Sequence, residues 1–360
     1  MTTDLSSAPV MIMAGGTGGH IFPGIAVARE LRARGVPVVW LGGKAGLETR
    51  LVPEAGIMLE TLDFQGVRGK DIMTLAMAPA RLLRAVFAAH SILRRVQPRC
   101  VLSMGGYAAA PGGIAAWIAR VPLVVHEQNR VAGFTNRLLA RFARRVLGGF
   151  ADVLPGAEWI GNPVRAEISA VPPPRERLAE RPAELHVLVL GGSQGASSLN
   201  TLLPQVFQRR GATRRMRIRH QCGLRHVEAT RKAYTVAEVN AQVEPFIDDM
   251  AAAYAWADVV ICRAGALTLA ELCAAGVGAI LVPFPSAVDD HQTRNAEVLV
   301  AAGAARLVGE SDEFVRRIGI ELDTLVHERF RLLTMATAAR SLARPDAAAR
   351  IAGACLEVSA

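Results

Sequence analysis

The sequence predicts an α/β protein of two Rossmann-like domains, each with a parallel sheet, facing one another across a cleft. Three observations carry that expectation. Short β-branched runs alternate with longer helical runs along most of the chain. The alternation restarts near the middle. The two halves also open alike, with VMIMAGGTGGH and HVLVLGGSQGA, each an apolar strand, two glycines, a hydroxyl residue and a helix.

In the first half, Val10–Ala14, Val36–Leu41, Cys100–Ser103 and Leu123–His126 read as strands, with helices such as Phe22–Arg34 and Thr135–Arg145 between them. In the second, Leu185–Leu190, Val259–Cys262 and Ala279–Val282 continue the pattern. This βαβα order implies parallel strands joined by right-handed crossovers. Between the halves, AEISAVPPPRERLAERPAE is rich in proline and charge and lacks periodic apolar residues, so it reads as a connector. The last helix, from about Pro345, can belong to either half.

Composition bounds the alternatives. A chain of 360 residues suits two domains, and 51% apolar content supplies two cores. The opening MTTDLSSAPV has an early aspartate and no long apolar run, unlike a secretory signal. No run of about 18 apolar residues is present to span a bilayer; Ala108–Ala119 is interrupted by Pro111, Gly112 and Gly113. Five scattered cysteines without a C-x-x-C pair suit reduced thiols in a cytosol, not a zinc site or disulfide framework. The net charge of +9 fits nucleic acid, anionic lipid or phosphorylated substrates. The basic run Gln208–His220 has no interleaved aromatic and no accompanying nucleic-acid motif. It reads as a solvated helix end leading into an edge strand, and no nucleic-acid partner is expected.

Three glycine loops fall where strands end: Gly15-Gly16-Thr17-Gly18-Gly19-His20, Gly105-Gly106-Tyr107 and Gly191-Gly192-Ser193-Gln194-Gly195. Ligands of open parallel sheets bind beyond the carboxyl ends of the strands. Glycines there let backbone approach a phosphate, and the following helix start offers free N–H groups and partial positive charge. A dinucleotide site is excluded. Neither domain-opening loop satisfies G-x-G-x-x-G, and the second strand ends Trp40-Leu41-Gly42-Gly43-Lys44 without the acid a ribose needs. A P-loop is excluded because no glycine-lysine-hydroxyl triplet follows either loop.

Polar clusters occupy other strand ends: His126-Glu127-Gln128-Asn129, Arg263 through Thr268 with Glu271 beyond, and Asp289-Asp290-His291-Gln292 with Asn295. Gly161-Asn162-Pro163-Val164-Arg165 falls at the domain boundary. Each has a plainer structural reading. His126 and Glu127 can form a hydrogen-bonded turn, Glu271 can be an acid in a helix's first turn, and Asp289-Asp290-His291 reads as an N-cap run rather than a metal site. Their shared placement on the ligand side of two sheets is what packing alone explains poorly.

GGTGGHIFPG, GGYAAAP, HEQN, GNPVR, GGSQGA, FIDDMAAAYAWADVVICRAGALTLAEL and DDHQTRNA occur in one order. In this the chain resembles the MurG family, the N-acetylglucosaminyltransferases of peptidoglycan synthesis. The resemblance covers nearly the whole chain; Gln208–Ala241 carries little of it, and Ala132 stands where the family commonly has proline. It implies the GT-B fold, with residues 1–163 and a returning helix at 346–360 as an acceptor- and membrane-binding domain, and residues 164–345 as the UDP-sugar donor domain. It implies inverting transfer of N-acetylglucosamine from its UDP carrier to the 4-hydroxyl of N-acetylmuramoyl-pentapeptide on undecaprenyl diphosphate (lipid I), giving lipid II. Another UDP-sugar enzyme of this fold, such as a 2-epimerase, and a non-catalytic membrane-docking module are the rival readings.

Residue roles follow by motif from the resemblance. Ser193 and the N–H groups at Ala266 and Leu267, with Thr268 beside them, hold the donor diphosphate. Glu271 accepts from the ribose hydroxyls, Ile247 presents its backbone to uracil, and Asn129 and Gln292 contact the sugar. Thr17, Gly18 and Gly19 lie near the reacting centre and the acceptor diphosphate. Arg165 and Arg263 supply positive charge near the phosphates. Inverting transfer needs a base and stabilisation of departing UDP. Helix starts and arginines can do the second task, so no obligatory metal or cofactor is expected. For the base, His20 at its helix start is preferred, with Glu127 second, because that position disfavours the protonated imidazole.

A lipid-linked acceptor implies residence at the cytoplasmic face of the inner membrane, with cell-wall and division proteins as candidate partners. Ile72–Pro79 is apolar around nearly its whole circumference and is flanked by Arg68, Lys70, Arg81 and Arg84. Arg137, Arg141, Arg144 and Arg145 lie in the same domain. An apolar patch with a basic rim suits an anionic membrane surface; a doubly buried helix has the same pattern.

Overall fold

The computed structural model describes residues 8–64, 77–179, 184–192, 195–208, 216–285 and 290–359. The runs that open the two halves become central strands. β1 (Val10–Ala14) is apolar, β8 (Leu185–Leu190) is apolar but for His186, and both are buried throughout, as suits strands covered on both faces. β1 is followed by α1 (Gly18–Ala33), β2 (Val38–Gly43), α2 (Glu48–Glu54) and β3 (Met58–Leu62). Then come α3 (Ala78–Val96), β4 (Cys100–Gly105), α4 (Ala109–Ile118), β5 (Leu123–Glu127), α5 (Phe134–Leu139), β6 (Arg145–Gly148) and β7 (Glu158–Trp159). Their sheet has the order β3-β2-β1-β4-β5-β6-β7, parallel throughout.

After α6 (Ala166–Ser169) and α7 (Pro174–Ala179), β8 leads to α8 (Ser197–Gln208), β9 (Met216–Gln221), α9 (Val227–Val236) and β10 (Gln242–Glu244). The chain continues through α10 (Met250–Trp256), β11 (Val259–Cys262), α11 (Ala266–Ala275), β12 (Gly278–Leu281), α12 (His291–Ala301) and β13 (Ala305–Leu307). The helices α13 (Phe314–His327), α14 (Phe330–Ser341) and α15 (Ala347–Glu357) follow. The second sheet is β10-β9-β8-β11-β12-β13, again parallel. Both sheets carry the doubly wound order 3-2-1-4-5-6, the first with one strand added.

Several local expectations change. α1 starts four residues before Phe22, inside the glycine motif, with extended Thr17 as its N-cap. The helix expected over Thr135–Arg145 ends at Leu139, and Arg145 instead opens β6, where it pairs with Glu158 at 2.8 Å and Glu357 at 2.9 Å. The connector holds two short helices, pinned to the second unit by Arg177, which donates to the Ala257 and Gly276 carbonyls. β9 is not an edge strand, because β10 covers its open side. Its arginines are paired within the chain, Arg217 with Glu184 at 2.5 Å and Arg219 with Glu244 at 3.0 Å.

Two compact units result: Met1–Val164 with Arg344–Ala360, and Arg165–Ala343. α15 completes the first unit. Its Ile351, Ala352, Ala354 and Cys355 are buried in one cluster with Val10, Ile12, Leu102 and Ile160. Arg34 donates to the Ala349 carbonyl at 3.0 Å and Arg99 to Ser359 Oγ at 3.0 Å. The Arg344 guanidinium lies 4.0 Å from the Trp159 ring centroid. Among the described residues no helix is long and apolar enough to cross a membrane.

Ile351→Ala leaves a cavity in that cluster and is expected to destabilise the first unit by about 2–5 kcal/mol. Trp256 is the one tryptophan outside that unit, the others being Trp40, Trp117 and Trp159. Urea unfolding followed by tryptophan fluorescence in a Trp256→Phe background therefore reads the first unit; an unchanged midpoint would contradict the assignment of α15 to its core.

Candidate active site

In each unit the strands that flank the reversal of strand order, β1 with β4 and β8 with β11, end in the motifs singled out above. That is where doubly wound sheets bind ligands. The first unit builds its candidate site on the loop between β1 and α1. Helix starts leave backbone donors without internal partners. Among the described residues no acceptor engages the N–H groups of Gly18 and Gly19, and the first turn of α1 contains no acid. Thr17 is exposed, and its Oγ1 lies 3.4 Å from His20 Nδ1. The β4 loop packs directly on this one. Gly106 has φ +88°, and a Cβ there would overlap the Gly15 carbonyl.

His20 is half-buried beside Gly105. A Cβ on Gly105 would lie 3.2 Å from His20 Nε2 and 3.3 Å from Asn136 Nδ2, so imidazole and carboxamide close on the same glycine. Asn136 leads into the HEQN knot. It donates to Glu127 Oε2 at 2.9 Å and to the His126 carbonyl at 3.1 Å, and accepts from Ser103 Oγ at 3.0 Å. Glu127 is buried and also accepts from Asn129 N at 3.0 Å, Asn129 Nδ2 at 3.4 Å and Gly133 N at 3.1 Å. These four donors occupy the lone pairs of its two oxygens. Its carboxylate therefore orders the turn after β5 and is poorly placed to take a proton from a substrate.

His126 is fully buried, and burial lowers its pKa. Its Nε2 donates to the Gly161 carbonyl at 3.0 Å while Nδ1 accepts from Gln128 Nε2 at 3.1 Å. Asn162 Nδ2 donates to the Gln128 carbonyl at 3.0 Å. The turn reading of His126 and Glu127 thus describes their contacts, and the GNPVR motif begins as part of the same network.

The second unit builds its candidate site on the loop after β8 and the start of α11. Ser193 and Gln194 lie outside the described residues, as do Asp289, Ile72–Ala76, Arg68 and Lys70. The N–H groups of Ala266, Leu267 and Thr268 find no acceptor among the described residues, and Gly265 caps the helix through its backbone alone. Glu271 sits in the second turn of α11, not the first. Its Oε1 accepts from Arg165 at 3.2 Å and its Oε2 from the Tyr254 hydroxyl at 3.0 Å. Burial pushes its carboxyl above the usual range, while Arg165 and Tyr254 pull the other way. Ile247 is buried, and its N–H and C=O have no partner among the described residues.

Arg263 departs most from its expected role. It pairs with Glu310 at 2.6 Å, donates to Ser198 Oγ at 2.8 Å, and donates to the Val282 and Pro283 carbonyls. Its charge is thus compensated within the unit. Gln292 uses its carbonyl to accept from Ala264 N at 3.2 Å and Phe284 N at 3.0 Å, joining the ends of β11 and β12. Asp290 occupies the N-cap position of α12 in a left-handed conformation, but accepts from the Thr293 hydroxyl at 2.6 Å rather than from a backbone N–H. Among the described residues no group of His, Cys, Asp or Glu is placed to hold a metal ion.

Two loop-holding side chains were absent from the sequence reading. Gln221, at the end of β9, accepts from Gly192 N at 3.0 Å and donates to the Gly192 carbonyl at 2.9 Å. Glu48, the first residue of α2, accepts from Gly16 N at 3.2 Å, Gly43 N at 3.1 Å and the Tyr107 hydroxyl at 3.0 Å. The available signal was an acid at a helix start just beyond Gly42-Gly43. Nothing local distinguishes it from an exposed capping residue.

Residues 10–148 match the glycosyltransferase family 28 N-terminal domain and residues 186–351 match its C-terminal domain. A relative from Xanthomonas axonopodis pv. citri (strain 306) is 59% identical over 349 residues, covering 97% of this chain and 82% of the relative. One from Xylella fastidiosa (strain M12) is 56% identical, covering 98% and 96%. Both are named UDP-N-acetylglucosamine--N-acetylmuramyl-(pentapeptide) pyrophosphoryl-undecaprenol N-acetylglucosamine transferase. The crystal structure of Acinetobacter baumannii MurG superposes with a TM-score of 0.87 at 39% identity, covering 97% of this chain and 99% of that one. A kitacinnamycin glycosyltransferase at 18% identity shares the fold with a TM-score of 0.71, covering 98% of this chain and 100% of its own. With two Rossmann-like parallel-sheet domains of the GT-B class, the chain belongs to glycosyltransferase family 28, within its MurG group.

Proposed function

We propose that the chain is the inverting N-acetylglucosaminyltransferase that converts lipid I to lipid II. It moves N-acetylglucosamine from UDP-N-acetylglucosamine to the 4-hydroxyl of the N-acetylmuramoyl-pentapeptide on undecaprenyl diphosphate. The observation that carries this reading is 59% identity, across 97% of the chain, to a relative bearing that name. Incubation with UDP-N-acetylglucosamine and lipid I tests it: lipid II and UDP must appear together, and conversion of the donor without acceptor would instead indicate an epimerase.

In the proposed reaction the acceptor oxygen attacks the anomeric carbon and gives its proton to a base. The bond from that carbon to the diphosphate oxygen breaks, and UDP leaves with the electron pair. His20 takes the proton. The half-buried imidazole next to exposed Thr17 and the N–H groups of Gly18 and Gly19 supports this role, as does the saturation of Glu127 by four donors. Glu127 and Asn129 then order the turn beside the sugar. In the second unit the N–H groups of Ala266, Leu267 and Thr268, with Ser193, hold the donor diphosphate. Glu271 receives the ribose hydroxyls while Arg165 and Tyr254 fix its rotamer, Ile247 offers its backbone to uracil, and Gln292 keeps its NH2 group for the sugar. Arg263 braces the strand ends behind the phosphates instead of meeting them.

The first unit also carries the proposed contact with anionic lipid at the inner membrane. The helices α3, α4 and α5 pack side by side on one face of its sheet. Their outward side exposes Leu83, Phe87, Trp117 and Ile118, with Phe142 just beyond α5 and 4.9 Å from Trp117 between ring centroids. Arg81, Arg84, Arg137, Arg141 and Arg144 are exposed around them. An apolar surface ringed by arginines binds by inserting its side chains below the headgroups while the charges meet acidic lipid. Cell-wall and division proteins remain the candidate protein partners of an enzyme so placed.

Three outcomes are expected. His20→Ala lowers kcat at saturating substrates by about 10²–10⁴-fold while UDP-N-acetylglucosamine still binds; near-normal turnover removes the assignment. Exhaustive EDTA treatment leaves activity unchanged, and a loss reversed only by a divalent ion would overturn metal independence. Phe87→Glu with Trp117→Glu abolishes sedimentation with phosphatidylglycerol vesicles without shifting the melting temperature; retained binding by the folded variant would exclude this surface.

A further inference from the structure

The first unit contains a buried carboxylate for which the roles above have no use. Glu48 has no exposed surface, and no Lys or Arg pairs with it among the described residues. Its charge is met by the N–H groups of Gly16 and Gly43 and by the Tyr107 hydroxyl, which is shared with the Ala45 carbonyl at 2.8 Å. It also lies at a helix start, where a negative charge is favoured. The three donors come from three separate strand ends, those of β1, β2 and β4. Glycines make the space. A Cβ would lie 2.7 Å from Glu48 Oε1 at Gly15, 2.9 Å from its Cγ at Gly42 and 2.5 Å from its Oε2 at Gly46. Burial and the neighbouring Glu48 charge push the Tyr107 phenol up to about 12, so it remains a donor.

We infer that Glu48 is a positioning residue for the acceptor: its carboxylate fixes the β1 loop so that the Gly18 and Gly19 N–H groups and His20 stand where the lipid-linked diphosphate and hydroxyl arrive. This rests on the reading that the β1 loop serves the acceptor. Only a carboxylate fits the pattern of donors. It accepts on both oxygens, Gly43 and Tyr107 on Oε1 and Gly16 on Oε2. A carboxamide has one acceptor oxygen, so one orientation turns its NH2 group against the Gly16 N–H and the other against the Gly43 N–H. Either way a strand end loses its partner. In the second unit the loop is held by a carboxamide, because Gln221 meets both a donor and an acceptor on Gly192.

The test is steady-state kinetics of Glu48→Gln and Tyr107→Phe with lipid I and UDP-N-acetylglucosamine varied in turn, alongside calorimetric titration with the donor. Expected is a rise in the lipid I KM of about tenfold or more for Glu48→Gln. A smaller rise is expected for Tyr107→Phe, which keeps both backbone donors and serves alone if the first variant does not fold. Donor KM and donor affinity stay at wild-type values in both. A folded variant with unchanged lipid I KM, or one that lowers only kcat and melting temperature, overturns the inference. If the wild type itself fails to use lipid I, the acceptor reading falls and takes the inference with it.

Discussion

Strand ends in a parallel sheet leave backbone N–H and C=O groups without a ladder, and those groups must find partners once they are buried. This chain answers that constraint with a small set of side chains. Glu48 and Glu127 hold the loops of the first unit, and Gln221 and Gln292 those of the second. Each crosses from one strand end to another or closes the turn that leaves its own. With those groups satisfied, the N–H groups at the helix starts Gly18 and Ala266 meet no acceptor among the described residues. Preorganised donors of this kind need not reorient when charge develops on a departing diphosphate.

The two units solve the same geometric problem with different chemistry. The first loop presents donors from three strand ends and is met by a carboxylate. The second presents a donor and an acceptor on one residue and is met by a carboxamide. The His126–Gln128–Asn162 chain extends the first solution to the segment that leaves the unit, because His126 reaches the Gly161 carbonyl. A buried imidazole with one donating and one accepting nitrogen is suited to such a chain only while neutral, and burial keeps it so.

The central strands, the parallel βαβα alternation and the glycine loops were legible in the sequence because they rest on local properties. A strand buried on both faces is mostly apolar, as Val10–Ala14 and Val259–Cys262 are. Other strands escaped that test. β3 lies at the sheet edge with mixed exposure, and β10 and β13 have three residues each. Side-chain tasks were less legible, because they depend on what lies across the fold. Arg263 looked like a phosphate ligand until Glu310, 47 positions along the chain, was found beside it. Glu48 carries no local mark of its task, because its donors come from three strand ends.

The discontinuity of the first unit bears on how the chain is made. Residues 165–343 contain everything the second unit needs, whereas the first needs Ile351, Ala352 and Cys355 to fill the cluster around β1. Domains emerging from a ribosome usually fold in order, amino-terminal first. Here the first unit cannot be completed until α15 has been made. Until then the cluster around Val10, Ile12 and Ile160 lacks the side chains that complete it. A chain stopped short of α15 would therefore leave apolar core of the first unit exposed, while the second unit, continuous in sequence, would lose nothing.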